Sequence, residues 1–173
     1  MPNVNLLAKV GAGMQEMSSV VLTGPSGVGK SALLWSVPRA FPEVLWLRVH
    51  QLAPEDVPDI MRLCRAHRVS DNSPVGLLVD AADPGTFSGW SQLNKEVIGT
   101  PGLFLVSTAR NEDLILLGDL SDCATVTVEL DEDTAQRIYD ELRKRGATDA
   151  PHWREAFEEC SGLTLEFTHL LTR

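Results

Sequence analysis

The chain has 173 residues, 43% of them hydrophobic, and a formal net charge of −9. That length holds one compact domain or one with an appended fragment, and the apolar content supports a buried core, which excludes wholesale disorder. No apolar run approaches the ~18 residues of a membrane helix, and Met1-Pro2-Asn3-Val4 lacks the basic-then-apolar layout of a signal peptide, so a cytoplasmic location is expected.

Residues 6–17 carry Leu6, Leu7, Val10 and Met14 at helical spacing and predict a leading helix. Ser19-Val20-Val21-Leu22-Thr23 is a short β-branched run halted by Gly24-Pro25, as in a buried strand entering a turn. A helix over 31–36 follows, with Pro38 near its end, and then a second strand over 44–49. Residues 56–67 place Val57, Ile60, Met61 and Cys64 on one helical face. Residues 75–80 are almost continuously apolar, the pattern of a strand covered on both sheet faces. A helix over 91–97, a fourth strand over 103–107 and a short helix from an Asn111 cap through Leu117 come next. Residues 125–130 alternate more than the other strands and fit a sheet edge. Five strands alternating with helices define a parallel, doubly covered α/β sheet.

The remainder is helical. Asp131 or Asp133 caps a helix carrying Ala135, Ile138, Tyr139 and Leu142, which Arg143-Lys144-Arg145-Gly146 ends. Pro151 opens another with Trp153, Phe157 and Cys160 on one face, closed near Gly162. A third starts at 163 and is still apolar at 171, which reads as a piece of a longer protein. The expected division is a core over 1–130 and a helical subdomain over 131–173. Residues 1–110 carry nine basic and nine acidic side chains, residues 111–173 six and fifteen. An acidic last third does not suit a phosphate backbone, so direct nucleic-acid binding is not expected. Cys64, Cys123 and Cys160 lack any paired spacing and read as reduced, buried thiols.

The chemistry lies in Gly24-Pro25-Ser26-Gly27-Val28-Gly29-Lys30-Ser31, a complete G-x-x-x-x-G-K-[ST] run between a strand and a helix. Glycines let the backbone curl so that its N–H groups form an anion cradle, from Gly24 through Ala32, and the helix beginning after Gly29 adds its positive end. Lys30 is the candidate for the β- and γ-phosphates and the Ser31 hydroxyl for Mg²⁺. Asp80, ending the third strand at the sheet's C-terminal edge, is the second candidate metal ligand; the alternative is an Asp that merely starts a turn. Ala81 after it cannot activate water, which leaves Asp83 as the candidate for that task or as a simple turn former. Arg110 is placed to sense a γ-phosphate, or else to pair with a nearby acid, and Ser107 or Thr108 is placed to bond the attacking water or the phosphate.

Other groupings are weaker. Arg62, Arg65 and Arg68 recur every three residues and read as a solvated face. His50, His67, His152 and His169 lack metal-ligand spacing, and Trp35, Trp46, Trp90 and Trp153 sit in apolar contexts suited to the core.

Three stretches, Val21 to Ser31, Leu77-Leu78-Val79-Asp80 and Leu105-Val106-Ser107-Thr108-Ala109-Arg110, together with Gly162-Leu163-Thr164-Leu165-Glu166-Phe167, give the chain a family likeness. It resembles the STAND branch of signal-transduction ATPases, related to AAA+ proteins. The resemblance implies a P-loop NTPase fold of three α/β/α layers, with sheet order 5-1-4-3-2 and a helical lid. It also implies ATP or ADP with Mg²⁺, a sensor role for Arg110, and a lid contact from Gly162. Thr164 stands where the family has an adenine-side proline, and Ala81 where many relatives have a second acid. The expected partners are nucleotide and the other domains of a larger parent, with a nucleotide-dependent homo-oligomer left open and no membrane.

The function expected is a slowly hydrolysing ATP-binding switch. An AAA+ motor or loader acting on protein or DNA, and a scaffold that binds nucleotide without hydrolysing it, are the alternatives. A small-molecule kinase is disfavoured by the acidic helices of the last third.

Overall fold

The computed structural model describes residues 4–50, 52–68, 73–80, 87–146, 151–160 and 163–171. The chain divides into two compact units, Met1–Thr23 with Ser31–Thr127 and Gly24–Lys30 with Val128–Arg173.

In the first unit, β1 (Ser19–Thr23), β2 (Leu45–Val49), β3 (Val75–Asp80), β4 (Leu103–Thr108) and β5 (Ala124–Thr127) form one sheet in the order β2-β3-β4-β1-β5. Every pairing is parallel, so the expected sheet and strand order are found. The three central strands are buried almost end to end, as Val/Leu-rich runs must be when helices cover both faces. Alternation sorts their side chains between two cores. Val21, Leu77, Val79, Leu103 and Leu105 join Met61 and Cys64 of α4 (Val57–His67) and Trp90, Leu93 and Val97 of α5 (Phe87–Ile98). The opposite face of β1 and β5 takes α1 (Val4–Met17), which buries Leu7, Val10, Gly13 and Met14. Gly13 marks the closest approach, since a Cβ there would stand 2.7 Å from the Ala124 Cβ.

Several boundaries move from their expected places for identifiable reasons. The helix expected over 31–36 stops early, giving α2 (Lys30–Leu34) and a separate α3 (Val37–Ala40). Pro38 has no N–H to continue the ladder and is tolerated only in a first turn, where it sits. β5 ends at Thr127 rather than 130, because its single partner β1 ends at Thr23, the residue paired with Thr127. The segment after β4 is a 3-10 helix over Asn111–Leu117, and its N-cap is Arg110, not Asn111. Residues 54–56 likewise form a 3-10 turn ahead of α4. Of the Arg stripe, Arg62 pairs with Asp59 at 3.1 Å while Arg68 lays its guanidinium over Gly102.

Trp90 and Trp153 are core residues as expected, whereas Trp35 and Trp46 are half-buried. Trp46 has a specific seat. Its register partner on β3 is Gly76, and the ring lies so close over that glycine that any Cβ there would overlap it. The indole N–H donates to the Phe41 carbonyl at 2.9 Å.

The second unit contains α6 (Glu132–Lys144), α7 (Trp153–Glu159) and α8 (Thr164–Leu171). Asp131 is the cap of α6, its carboxylate accepting from the Thr134 N–H at 2.7 Å. α7 starts after His152, whose ring nitrogen accepts from the Arg154 N–H at 3.3 Å. Leu130, Ala135, Trp153, Ala156, Cys160, Phe167 and Leu171 form the core of this unit. Phe157 is half-buried against the same core, so Trp153, Phe157 and Cys160 share a face as expected, with Ala156 buried beside them. Among the described residues, no helix is long and apolar enough to cross a membrane.

Cys64, Cys123 and Cys160 are free and buried. Burial pushes the Cys64 and Cys123 thiols above the usual 9.0. The folded chain therefore holds these protons more tightly than the unfolded one. The stabilisation is present below about pH 9 and is lost as pH rises through the raised folded values. Ellman's reagent at pH 8 should leave all three native thiols largely unreacted over minutes and titrate them at once in urea. Gly76→Ala should cost about 1–3 kcal/mol by overpacking against Trp46, read as a lower urea midpoint at unchanged slope.

Candidate functional site: a phosphate-type loop and an aspartate at a strand end

β1 ends at Thr23 and α2 begins at Lys30. In the intervening turn Gly24, Gly27 and Gly29 have φ of +146°, +81° and +102°, a region side-chain-bearing residues rarely enter. Gly24 is doubly constrained, because a Cβ there would run into the Val128 carbonyl oxygen. Val28 is buried, while Pro25, Ser26 and Gly27 are exposed. A turn of this kind directs successive N–H groups towards one point and so favours an anion. The Lys30 ammonium donates to the carbonyls of Gly24 at 2.8 Å and Pro25 at 2.7 Å, curling over the start of the loop. Ser31 and Ala32 are exposed on the first turn of α2.

Two bonds from α8 reach the same loop. The Leu165 N–H donates to the Gly27 carbonyl at 3.1 Å, and the Thr164 hydroxyl donates to the Val28 carbonyl at 2.9 Å. Neither residue is a sequence-level candidate for the loop. The pair Thr164 and Val28 is separated by 136 positions, and the sequence marks Thr164 only as standing at the place of the family's adenine-side proline.

In the first unit Asp80 is half-buried at the end of β3. Its register partner is Thr108, whose hydroxyl donates to Asp80 Oδ1 at 2.6 Å. Of the two β4 hydroxyls expected to bond the attacking water or the phosphate, Thr108 is the one that meets the aspartate. Ser107 points to the opposite core, where its oxygen accepts from the Trp90 indole at 3.0 Å and is wholly buried. Ser107 is thus an internal partner of Trp90 in this structure rather than an open polar group. Arg110 is exposed in extended conformation (φ −80°, ψ 156°), capping the 3-10 helix without a side-chain bond to it. Asp83 and Gly162 lie outside the described residues.

No protein-family model matches the chain, and no curated protein matches it in sequence. Solved structures do match its fold. A Walker-type ATPase of Pyrococcus abyssi superposes with a TM-score of 0.59 at 16% identity, over 96% of this chain and 64% of the other. PCH-2 of C. elegans gives 0.57 at 14% identity, over 97% and 60%. RuvB of Thermotoga maritima gives 0.55 at 12% identity, over 100% and 61%. The chain thus spans somewhat under two thirds of the length of these proteins. Its architecture is the P-loop NTPase fold, with the complete glycine-lysine-serine run at the first strand-to-helix turn.

Removing the Thr108 hydroxyl leaves the half-buried Asp80 carboxylate short of a donor. Thr108→Val should therefore lower stability by about 1–3 kcal/mol at pH 7, with Thr108→Ser close to wild type, in urea titrations.

Proposed function

We propose that the chain is an ATP-binding regulatory module of STAND type that binds Mg-ATP and hydrolyses it slowly. The nucleotide-binding part of this reading is supported by the loop conformation at Gly24, Gly27 and Gly29, with Lys30 curled over it; the STAND-type switch part rests on the sequence resemblance. Three glycines at positive φ in a strand-to-helix turn let the backbone curl without strain, so that amide donors can gather around a phosphate group.

The roles follow from the chemistry of each residue. Amides of residues 24 to 32 hold phosphate oxygens, and Lys30 exchanges its two loop carbonyls for the β- and γ-phosphates. The donor set fits magnesium, since a serine hydroxyl and a carboxylate are hard oxygen ligands; Ser31 and Asp80 would hold it. Held there, magnesium would supply charge neutralisation to the phosphates. Thr108 holds the Asp80 carboxylate in one orientation. Arg110 senses the γ-phosphate through its fork of donors, Asp83 orients water, and Gly162 meets the nucleotide from the lid side. Ala81 beside Asp80 favours slow turnover, because a methyl group takes no proton.

A motor or loader acting on protein or DNA is the second reading. It is favoured by one comparison in particular: a replication initiator DnaA, solved with AMPPCP and single-stranded DNA, superposes with a TM-score of 0.55 at 14% identity. A scaffold that binds nucleotide without hydrolysis is the third, and Ala81 is its support.

Millimolar Mg-ATP should raise the melting temperature. At a hundredfold excess over Kd the gain is about 2.7 kcal/mol, or roughly 5–10 °C for a chain this size. Lys30→Ala should abolish the shift and Asp80→Ala should remove its magnesium-dependent part. Phosphate release well below one per minute supports the switch, steady turnover the motor, and none the scaffold. A folded chain whose melting point ignores both ATP and GTP overturns nucleotide binding altogether.

A further inference from the structure

Every trans peptide unit points its carbonyl and the next residue's N–H in opposite directions. Wherever a loop carbonyl is anchored, the direction of the following amide is therefore set. In the loop after β1 two consecutive peptide units are anchored in this way, and both anchors come from the first turn of α8. The Leu165 N–H takes the Gly27 carbonyl at 3.1 Å, which turns the Val28 N–H the other way. The Thr164 hydroxyl takes the Val28 carbonyl at 2.9 Å, which does the same for the Gly29 N–H.

The fit between donor and acceptor is chemically specific. A helix start has N–H groups without intrahelical partners, and a curled loop has carbonyls turned outward without partners, so each supplies what the other lacks. Leu163 accepts the first bond of α8, from Phe167 at 2.9 Å, which makes Thr164 and Leu165 its first two helical residues. Leu165 is 70% exposed overall, yet its Cβ lies beside Gly27, 3.4 Å from where a Cβ on that glycine would stand, so side chain and backbone both meet the loop there. Thr164 is held from its other side as well, its carbonyl accepting from the Thr168 hydroxyl at 2.8 Å. Two left-handed glycines flank the anchored pair, at Gly27 and Gly29, and glycine is the residue least able to hold one conformation unaided.

We propose that Thr164 and the Leu165 amide are positioning residues for the phosphate loop: they fix the Gly27 and Val28 carbonyls and so aim the Val28 and Gly29 N–H groups at the bound phosphates. This deepens the nucleotide-binding reading and rests on it. It assigns Thr164 to the phosphate end of the ligand, through the loop, and not to the base.

The test compares the wild-type chain with Thr164→Val, which keeps the shape and loses the donor, Thr164→Ser, which keeps the hydroxyl, and Leu165→Pro, which loses the N–H at a helical position that tolerates proline. Calorimetry with Mg-ATP and with inorganic tripolyphosphate separates effects on phosphate from effects on adenine. Amide hydrogen exchange without ligand reads the loop directly. Thr164→Val and Leu165→Pro should each weaken both ligands about fivefold, the scale of one net hydrogen bond, with Thr164→Ser restoring the wild-type values. Exchange at Val28 and Gly29 should quicken in the same two variants. Equal affinities in wild type and Thr164→Val overturn the proposal, as does a loss confined to ATP with tripolyphosphate unaffected. If Thr164→Val does not fold, Leu165→Pro against Thr164→Ser decides on the same readings. A wild type that binds neither ligand and matches Lys30→Ala overturns the nucleotide reading itself, whereas unchanged exchange at Val28 and Gly29 overturns only the positioning.

Discussion

At Gly24 there is no room for a side chain, and much of the molecule depends on that. The carbonyl of Val128 occupies the space a Cβ would need, and the backbone turns through φ +146° at that point. Leaving β1 by this route, the chain enters a loop built on two further left-handed glycines and arrives at Lys30 ready to start a helix. A substituted residue at position 24 would have to move either the loop or the strand exit after β5. The constraint is thus steric and local, but its consequences reach the amides on which phosphate recognition relies.

How much of this was readable in the residues alone depended on whether the cause was local. β1, β3 and β4 announce themselves as apolar runs because helices cover both sides of them. The turn between β1 and α2 is equally plain, since glycine, lysine and serine spacing is a local pattern. Boundaries set by a partner were not readable: β5 stops where β1 has no more residues to offer, at the Thr23 and Thr127 pair. The break at Pro38 was only half readable, because the proline could end one helix or open the next, and it opens one.

The candidate site follows the same rule. Asp80 and Arg110 are evident as polar residues at the ends of apolar strands. That Thr108 meets Asp80 follows from the register of β4 against β3, which places the two opposite each other, and register is a property of two strands. Thr164 lies further out of reach, since its bond to Val28 spans 136 positions. Charge gives another contrast. The acidic excess of the last third looks like a global property, yet in α6 it is ordered, with Glu132 and Asp133 in the first turn and Arg143 and Lys144 in the last. That arrangement complements the helix dipole at both ends.

The adjacent hydroxyls of β4 bear on folding fidelity as well as chemistry. Leu103 and Leu105 face one core and Val106 the other, so sliding this strand by one residue would still bury apolar groups on each side. Hydrophobicity alone therefore discriminates poorly between alignments. Ser107 and Thr108 do discriminate: an indole waits on one side and a carboxylate on the other, and a slipped strand would leave both without their partner. The pair acts as an alignment pin, so the correct pairing of the central strands and the readiness of Asp80 are verified by the same two oxygen atoms.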